Sequence, residues 1–468
     1  MLSLAACLDG YSTAPALSST ATPTRPSPAV DPAPTTPVST LLPTQMPVQT
    51  PTPPETSSSL YGGQLSPSCG LILPSLPAEP VLAESMSVPD PAAVEALRAA
   101  MPAVAWPAMQ RLLDAPESVG LVIYQAGQSD NGVYWNADTP MPLASVAKVI
   151  ILVAYVEAVV AGEINPLTVV PLSELDRFYL PNFDLGAHRR AVAELREADR
   201  LLSPESNNPA VYLQDVAWMM MRHSSNAASD YLHDLLGQAK IEETVQTLGL
   251  DYSGSHTAPC TFLGQFLLMA NHTRGPLGTS MADRVALSAY LDSEEGAQLY
   301  GRDIALLFDA YTNQSTFRKD ETAWRSANRR PAMDTQRFFA SRLAPQGTPR
   351  AYADLMALLA QNGLSNADSS YQARLLLEWP MRFPLNQAEF SNLGYKNGTL
   401  PGVLATVYYG YRRGESVPVV LALFYRDLPQ QMYRQWRFDL PHDELARWLL
   451  ASPDAIPLLN GVMNRTGP

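Results

Sequence analysis

A serine and a lysine one helical turn apart are the residues of this chain best suited to chemistry. Ser145 and Lys148 stand at the head of a long apolar run, residues 149–156. On a helix this spacing puts the hydroxyl and the amine on one face. A buried lysine that stays neutral can accept the proton of the hydroxyl, which arginine cannot do. Nucleophilic catalysis at Ser145, with Lys148 as the base, is therefore the first chemical hypothesis.

Lysine is rare in this chain, which makes its positions informative. The 468 residues include 32 lysines and arginines, and only four are lysines: Lys148, Lys240, Lys319 and Lys396. The net charge of −13 argues against nucleic acid as a partner. The hydrophobic fraction of 46% is ordinary for a globular protein, and no uninterrupted apolar stretch reaches membrane-spanning length.

Two further motifs follow the first one along the chain. They are Ser224-Ser225-Asn226 and Lys396-Asn397-Gly398-Thr399. Taken singly, each of the three motifs has a structural explanation. The first could be a capped helix start, the second a polar turn or cap, and Asn397-Gly398 the type I′ turn of a hairpin. Their order, with predicted strands before the first and after the third, favours a shared catalytic site.

In this order the motifs resemble S-x-x-K, S-D-N and K-T-G of the class A β-lactamases, which are penicillin-recognising serine hydrolases. The resemblance covers about residues 90–455. It implies that Ser145 is the acylated nucleophile and that Lys148 is its base or part of a proton relay. It also implies that Ser224 passes the proton to the leaving nitrogen, helped by the field of Lys396.

The same resemblance assigns substrate binding to four residues: Asn226, Lys396, Gly398 and Thr399. The backbone N–H groups of Ser145 and Thr399 would form the oxyanion hole. The implied ligand is a β-lactam or a peptidoglycan stem peptide. No cofactor is implied, and the six histidines show no metal-ligand spacing.

Three departures from the family pattern bear on the reaction. Ser225 replaces the aspartate of S-D-N, and Asn397 replaces the second residue of K-T-G. Class A enzymes also use a glutamate in an E-x-x-L-N segment to activate the deacylating water. Residues 244–293 contain no glutamate, and the candidate substitutes are Glu294, Glu295 and His256. We therefore expect acylation, and we expect slow deacylation.

The expected fold class is α/β (α+β), with an antiparallel sheet built from both chain ends and packed with an all-helical subdomain. This arrangement is β-lactamase/transpeptidase-like. Alternating or continuous apolar runs predict the strands, at 119–124, 132–135, 404–409 and 417–424. Apolar residues at helical spacing predict the helices, at 89–113, from 145 onward, and at 211–236, 348–359 and 440–450.

The amino-terminal region has a different composition from the rest. Leu4-Ala5-Ala6-Cys7 resembles a bacterial lipobox, so residues 1–10 are expected to be the remnant of a lipoprotein signal, lipidated at Cys7. Residues 11–61 are a Pro/Ser/Thr-rich disordered linker; positions 11–60 hold 12 Pro and 19 Ser or Thr. Residues 62–468 form the hydrolase domain, with an insertion at about 275–345. The alternative is a cytosolic protein with a disordered tail.

Export to the bacterial cell envelope would place the chain in an oxidising compartment. Cys69 and Cys260 could then pair, although they could equally be two buried thiols.

The sequence leaves three functions open. The first is β-lactam hydrolysis through an acyl-enzyme at Ser145. The second is a D-alanyl-D-alanine carboxypeptidase or other cell-wall acyl transferase, and the third is a catalytically silent binding protein of the same fold.

Overall fold

The computed structural model describes residues 89–250, 258–270, 294–328, 330–342 and 344–463. Its strands, in chain order, are β1 Val119–Gln125, β2 Val133–Trp135, β3 Met141–Pro142, β4 Val169–Pro171, β5 Ala210–Tyr212, β6 Gln346–Gly347, β7 Phe390–Leu400, β8 Val403–Arg412 and β9 Val419–Tyr425. Its helices are α1 Pro91–Ala100, α2 Trp106–Asp114, α3 Lys148–Val160, α4 Leu172–Asp176, α5 Ala187–Glu197, α6 Leu213–Arg222, α7 Asn226–Leu236, α8 Gln238–Thr247, α9 Phe262–Met269, α10 Glu294–Asn313, α11 Ser315–Ala327, α12 Met333–Arg342, α13 Pro349–Ala360, α14 Ala367–Leu377, α15 Pro384–Glu389, α16 Gln430–Asp439, α17 Pro441–Ala451 and α18 Ala455–Val462.

Five strands form one antiparallel sheet in the order β2-β1-β9-β8-β7. Strands β1 and β2 come from the amino-terminal part of the described chain, and β7, β8 and β9 come from the carboxyl-terminal part. The register pairs Val119 with Tyr425 and Lys396 with Val407. The predicted α+β fold with a sheet built from both chain ends is confirmed.

Both faces of the sheet are covered. Along β9, Val420, Ala422 and Phe424 pack with the α3 side of the core, while Leu421 and Leu423 pack with the opposite side. This alternation follows from the two-residue period of a strand. Strands that are buried on both faces need continuous apolar sequence, which explains why β9 shows no polar alternation. The sheet is therefore a rigid central layer on which a site can be built.

Helix α3 is the centre of the helical layer. Every residue from Lys148 to Val156 is buried, so the apolar run surrounds the whole helix and does not form a single stripe. The helical layer contains other buried residues, among them Met219, Met220 and Met221. Among the residues that the structure describes, no helix combines the length and apolarity needed to cross a membrane.

Three local predictions have different outcomes in the structure. Thr348 caps α13 by accepting a hydrogen bond from Ala351 N at 3.2 Å, as predicted. The hairpin turn considered at Asn397-Gly398 is wrong, because both residues lie inside β7. The turn occurs at residues 401–402, where Gly402 has φ 83°. The helix predicted over 211–236 is divided at residues 223–225, which is where the second motif lies.

Several predictions fall partly or wholly outside the described residues. The anchor at 1–10 and the linker at 11–61 lie outside them, as do His256, Cys69 and the side chains of Glu294 and Glu295. Cys260 is 1% exposed and is disulfide-bonded. In the region expected to be an insertion, α10 packs on α9 and buries Tyr300, Ile304, Leu307 and Phe308 in the core that surrounds α3.

Candidate active site

Ser145 lies in a single helical turn, residues 144–147, between β3 and the start of α3 at Lys148. Strand β7 passes directly against this turn. A Cβ placed on Gly398 would lie 2.4 Å from Leu143 O and 2.7 Å from Ser145 N. These are backbone atoms that cannot move aside, so glycine is what allows the approach. The close contact brings the first motif against the third.

Lys148 is fully buried and faces the second motif. Its Nζ donates to Ser224 O at 2.6 Å and to Asn226 Oδ1 at 2.7 Å, and it lies 3.3 Å from Ser224 Oγ. Burial lowers the pKa of Lys148 to about 7, although the charges of Asp230 and Asp184 act in the opposite direction. A lysine with this pKa can hold or release a proton near neutral pH, as a general base must.

Ser224 lies in the short connection between α6 and α7 and has φ 62°. The left-handed conformation is uncommon for a residue with a Cβ and often marks functional positions. Its carbonyl and its hydroxyl are both held by Lys148. The same hydroxyl accepts a hydrogen bond from Lys396 Nζ at 3.0 Å. The Ser224 oxygen therefore lies between two buried lysine side chains.

Strand β7 positions the third motif. Lys396 is 1% exposed, and its Nζ also donates to Asn397 O at 2.7 Å. Thr399 Oγ1 is 3.2 Å from the hydroxyl of Tyr433, which comes from α16. Tyr433 was missed by the sequence analysis, since a tyrosine in an Arg-rich helix 34 positions away gives no local signal. Because Tyr433 contacts Thr399, we include it in the candidate site.

Phe262, at the start of α9, was also missed. Its ring centroid lies 4.8 Å from Lys148 Nζ. Buried Asp230 of α7 holds this helix start, because its two carboxylate oxygens accept from Phe262 N at 2.7 Å and Leu263 N at 2.8 Å. Burial raises the pKa of Asp230 to about 7, and the two backbone donors oppose the rise.

The predicted site residues are thus brought together from three parts of the chain. Ser145 and Lys148 come from the turn at 144–147 and the start of α3, Ser224 and Asn226 from the connection before α7 and its first residue, and 396–399 from β7. Within the described residues, no group of three or more His, Cys, Asp or Glu side chains could hold a metal ion. The arrangement supplies the Ser145 hydroxyl, one lysine of lowered pKa and a second hydroxyl held between lysines, which are groups that acyl transfer can use.

A family model described as the beta-lactamase enzyme family matches residues 105–432. No curated protein matches the sequence. The chain is similar to a solved β-lactamase from Sphaerobacter thermophilus, with 16% identity, coverage of 78% of this chain and 97% of that chain, and a TM-score of 0.43. A mutant of PBP-A in an acyl-enzyme complex with penicillin G gives 15% identity, 73% and 96% coverage, and a TM-score of 0.39.

A variant of the class A β-lactamase of the last common ancestor of Gram-negative bacteria gives 13% identity, coverage of 75% of this chain and 98% of that chain, and a TM-score of 0.43. Identities this low carry no information about a specific activity. The family assignment depends instead on the family model, which matches well over half of the chain. The chain belongs to the beta-lactamase enzyme family.

Proposed function

We propose that this protein is a penicillin-recognising serine enzyme that forms an acyl-enzyme on Ser145. The observation that carries the proposal is the position of Ser224 Oγ, which lies 3.3 Å from Lys148 Nζ and 3.0 Å from Lys396 Nζ. A hydroxyl held between two lysines can relay a proton when one lysine is neutral and the other remains charged. The lowered pKa of Lys148 supports its role as the neutral partner.

The proposed reaction begins when Ser145 Oγ attacks the carbonyl carbon of the substrate amide. The Ser145 proton moves to Lys148 as the new C–O bond forms. The C–N bond then breaks, and the leaving nitrogen receives a proton from Ser224, which is reprotonated by Lys148. In this scheme the N–H groups of Ser145 and Thr399 stabilise the oxyanion.

Substrate binding is assigned to the third motif and to Asn226. Lys396 and the Thr399 hydroxyl would bind the substrate carboxylate, and Gly398 would keep β7 close enough for this contact. Asn226 would hold the substrate amide while its Oδ1 keeps Lys148 in place. The ligand class is a β-lactam or the acyl-D-Ala end of a peptidoglycan stem peptide.

The second candidate function is a D-alanyl-D-alanine carboxypeptidase or another cell-wall acyl transferase. Its support is Phe262, whose apolar ring lies 4.8 Å from Lys148 Nζ and cannot activate a water molecule there. An acyl-enzyme without a base to activate water is hydrolysed slowly. Slow hydrolysis would block turnover by a β-lactamase, but it suits an acyl transferase that passes the acyl group to another acceptor. The third candidate is a silent binding protein, which would form no adduct.

Intact-mass spectrometry tests all three candidates. The wild-type protein and Ser145→Ala are incubated with a panel of penicillins, and the mass of each is followed over time. One added ligand mass on the wild-type protein, absent from Ser145→Ala, supports the proposal. Rapid loss of the adduct favours a β-lactamase, and a persistent adduct favours a wall enzyme. Absence of any adduct across the panel would overturn the acyl-enzyme proposal.

We also propose that the protein is exported and attached to a membrane surface through a lipid on Cys7, with residues 11–61 as a spacer. The support is sequence alone, namely the lipobox-like Leu4–Cys7 and the Pro/Ser/Thr-rich composition. The test is expression with a labelled fatty acid beside Cys7→Ala. Label in the wild type but not in the variant supports the anchor, and unlabelled wild type contradicts it.

A further inference from the structure

Ser225 stands where the family pattern has an aspartate, and it is fully buried. It caps α7, since its Oγ accepts a hydrogen bond from Ala228 N at 3.2 Å. This leaves the hydroxyl with its own proton still to donate. Because Ser225 is the neighbour of both Ser224 and Asn226, any group that forms a hydrogen bond with its hydroxyl helps to fix both of them.

The group in place is His188 of α5. Its Nδ1 lies 3.1 Å from Ser225 Oγ, and its Nε2 lies 3.5 Å from Asp176 Oδ1. The ring is 2% exposed and stacks on Tyr179 with centroids 5.0 Å apart. The backbone N of His188 donates to Asp184 Oδ2 at 2.8 Å, which fixes the start of α5. His188 is therefore held from several sides.

The contact with His188 fixes the side chain of Ser225. Ser225 Oγ accepts the Ala228 N–H at 3.2 Å and lies 3.1 Å from His188 Nδ1. A hydroxyl can make both hydrogen bonds at once, because it has one donor hydrogen and two acceptor lone pairs. With these two partners, the Ser225 side chain has one defined orientation.

We propose that His188 and Ser225 form a buried relay of hydrogen bonds that positions Ser224 and Asn226 for acylation, with His188 as the positioning residue. The proposal depends on the proposed function. Ser224 has a left-handed backbone, and its carbonyl lies 2.6 Å from Lys148 Nζ. A left-handed residue that carries a Cβ persists only where its surroundings over-determine it.

The row of serine, histidine and aspartate is not a second nucleophilic triad. Ser225 is 0% exposed and caps a helix, so no substrate can reach its hydroxyl. A role through Ser224 and Asn226 is the one that the contacts allow. Both residues hold Lys148, and only Asn226 is also assigned to the substrate, so a change at His188 should alter the rate of the chemical step more than the binding of substrate.

The test compares His188→Leu, which removes both ring nitrogens, with His188→Asn, which keeps a polar group on the Nδ1 side. Arg196→Ala, on the exposed face of α5, is the matched control. Stopped-flow kinetics with a chromogenic cephalosporin separates the acylation rate constant from the dissociation constant. Thermal unfolding of each variant is measured in parallel.

We expect His188→Leu to lower the acylation rate constant by about 10- to 100-fold with little change in the dissociation constant. His188→Asn should recover most of the loss at a similar unfolding temperature, and Arg196→Ala should match the wild type. Equal rates in all variants, or losses that follow the unfolding temperature alone, would overturn the relay. If the wild-type protein itself is not acylated, the proposed function fails first and the relay fails with it.

Discussion

The ring of Phe262 lies 4.8 Å from the Nζ of Lys148, so the neighbour of the candidate base is an apolar ring. Asp230 holds that ring in place through the backbone N–H groups at the start of α9. Each Asp230 oxygen accepts one of these backbone N–H groups, so the carboxylate fixes the backbone from which Phe262 extends. We expect this relationship to separate the two halves of the proposed reaction, because an apolar ring leaves acylation intact and supplies no base for deacylation.

A carboxylate introduced at position 262 should therefore speed deacylation. We expect Phe262→Glu to shorten the lifetime of the penicillin adduct by about 100-fold or more, since a positioned general base contributes roughly 10²- to 10⁴-fold. The adduct lifetime is measured by intact mass after excess ligand is removed. Phe262→Leu is the control, because it changes the packing without adding a base. Equal lifetimes in Phe262→Glu and Phe262→Leu would contradict this account of slow deacylation.

The acylation rate should depend on pH through the protonation state of Lys148. Burial lowers the pKa of this lysine from 10.5 to about 7, so the neutral base predominates above that pH and the ammonium below it. The acylation rate constant should rise about tenfold per pH unit below pH 7 and level off above it. Pre-steady-state kinetics between pH 5 and pH 9 measures the profile.

Lys148→Arg provides the matched control for the pH profile. Arginine keeps the positive charge but does not lose its proton in this range, so acylation should be nearly abolished at every pH. A wild-type profile that is flat across pH 7, or an Arg variant that retains the wild-type rate, would show that Lys148 is not the base.

The sequence predicts the parts of the site that local spacing encodes. Ser145 and Lys148 are one helical turn apart, and β8 and β9, which follow Lys396, have largely apolar sequences, so these could be identified from the chain alone. Strand β7, which carries Lys396, has no such run and was missed. Phe262 and His188 could not be identified in this way, because their roles come from contacts between segments distant in sequence. The turn considered at Asn397-Gly398 failed for a related reason. Pairing of these residues with β8 outweighs the local preference of Asn-Gly for a hairpin turn.

Gly398 should be the most sensitive glycine of the site. The Cβ of Gly398→Ala would lie 2.4 Å from Leu143 O and 2.7 Å from Ser145 N, so β7 or the Ser145 turn must shift. A displacement of about 1 Å at reacting groups can lower a rate about 100-fold, and we expect a loss of that size in acylation. Overpacking should also destabilise the fold by about 1–3 kcal/mol.

Gly461→Ala, in α18, is the control for Gly398→Ala. A Cβ at Gly461 meets no other atom within 4 Å, so this change should leave acylation unaltered. It should stabilise the fold by about 0.5–1 kcal/mol, because glycine in a helix is less favourable than alanine. Acylation rates and urea unfolding of both variants check the pair. Normal acylation in Gly398→Ala would mean that the close approach of β7 is not needed.

Tyr433 should tune substrate binding through Thr399. The two hydroxyls are 3.2 Å apart, so Tyr433 limits the rotation of the Thr399 side chain that we assign to the substrate carboxylate. Tyr433→Phe removes one hydrogen bond of about 0.5–1.5 kcal/mol, which corresponds to a dissociation constant roughly 2- to 12-fold weaker. The acylation rate constant should change little, because Tyr433 contacts neither Ser145 nor Lys148 through a hydrogen bond in the described residues. Tyr371→Phe, at a tyrosine that is 55% exposed, is the control. A fall in the rate constant without weaker binding would instead place Tyr433 in the chemical step.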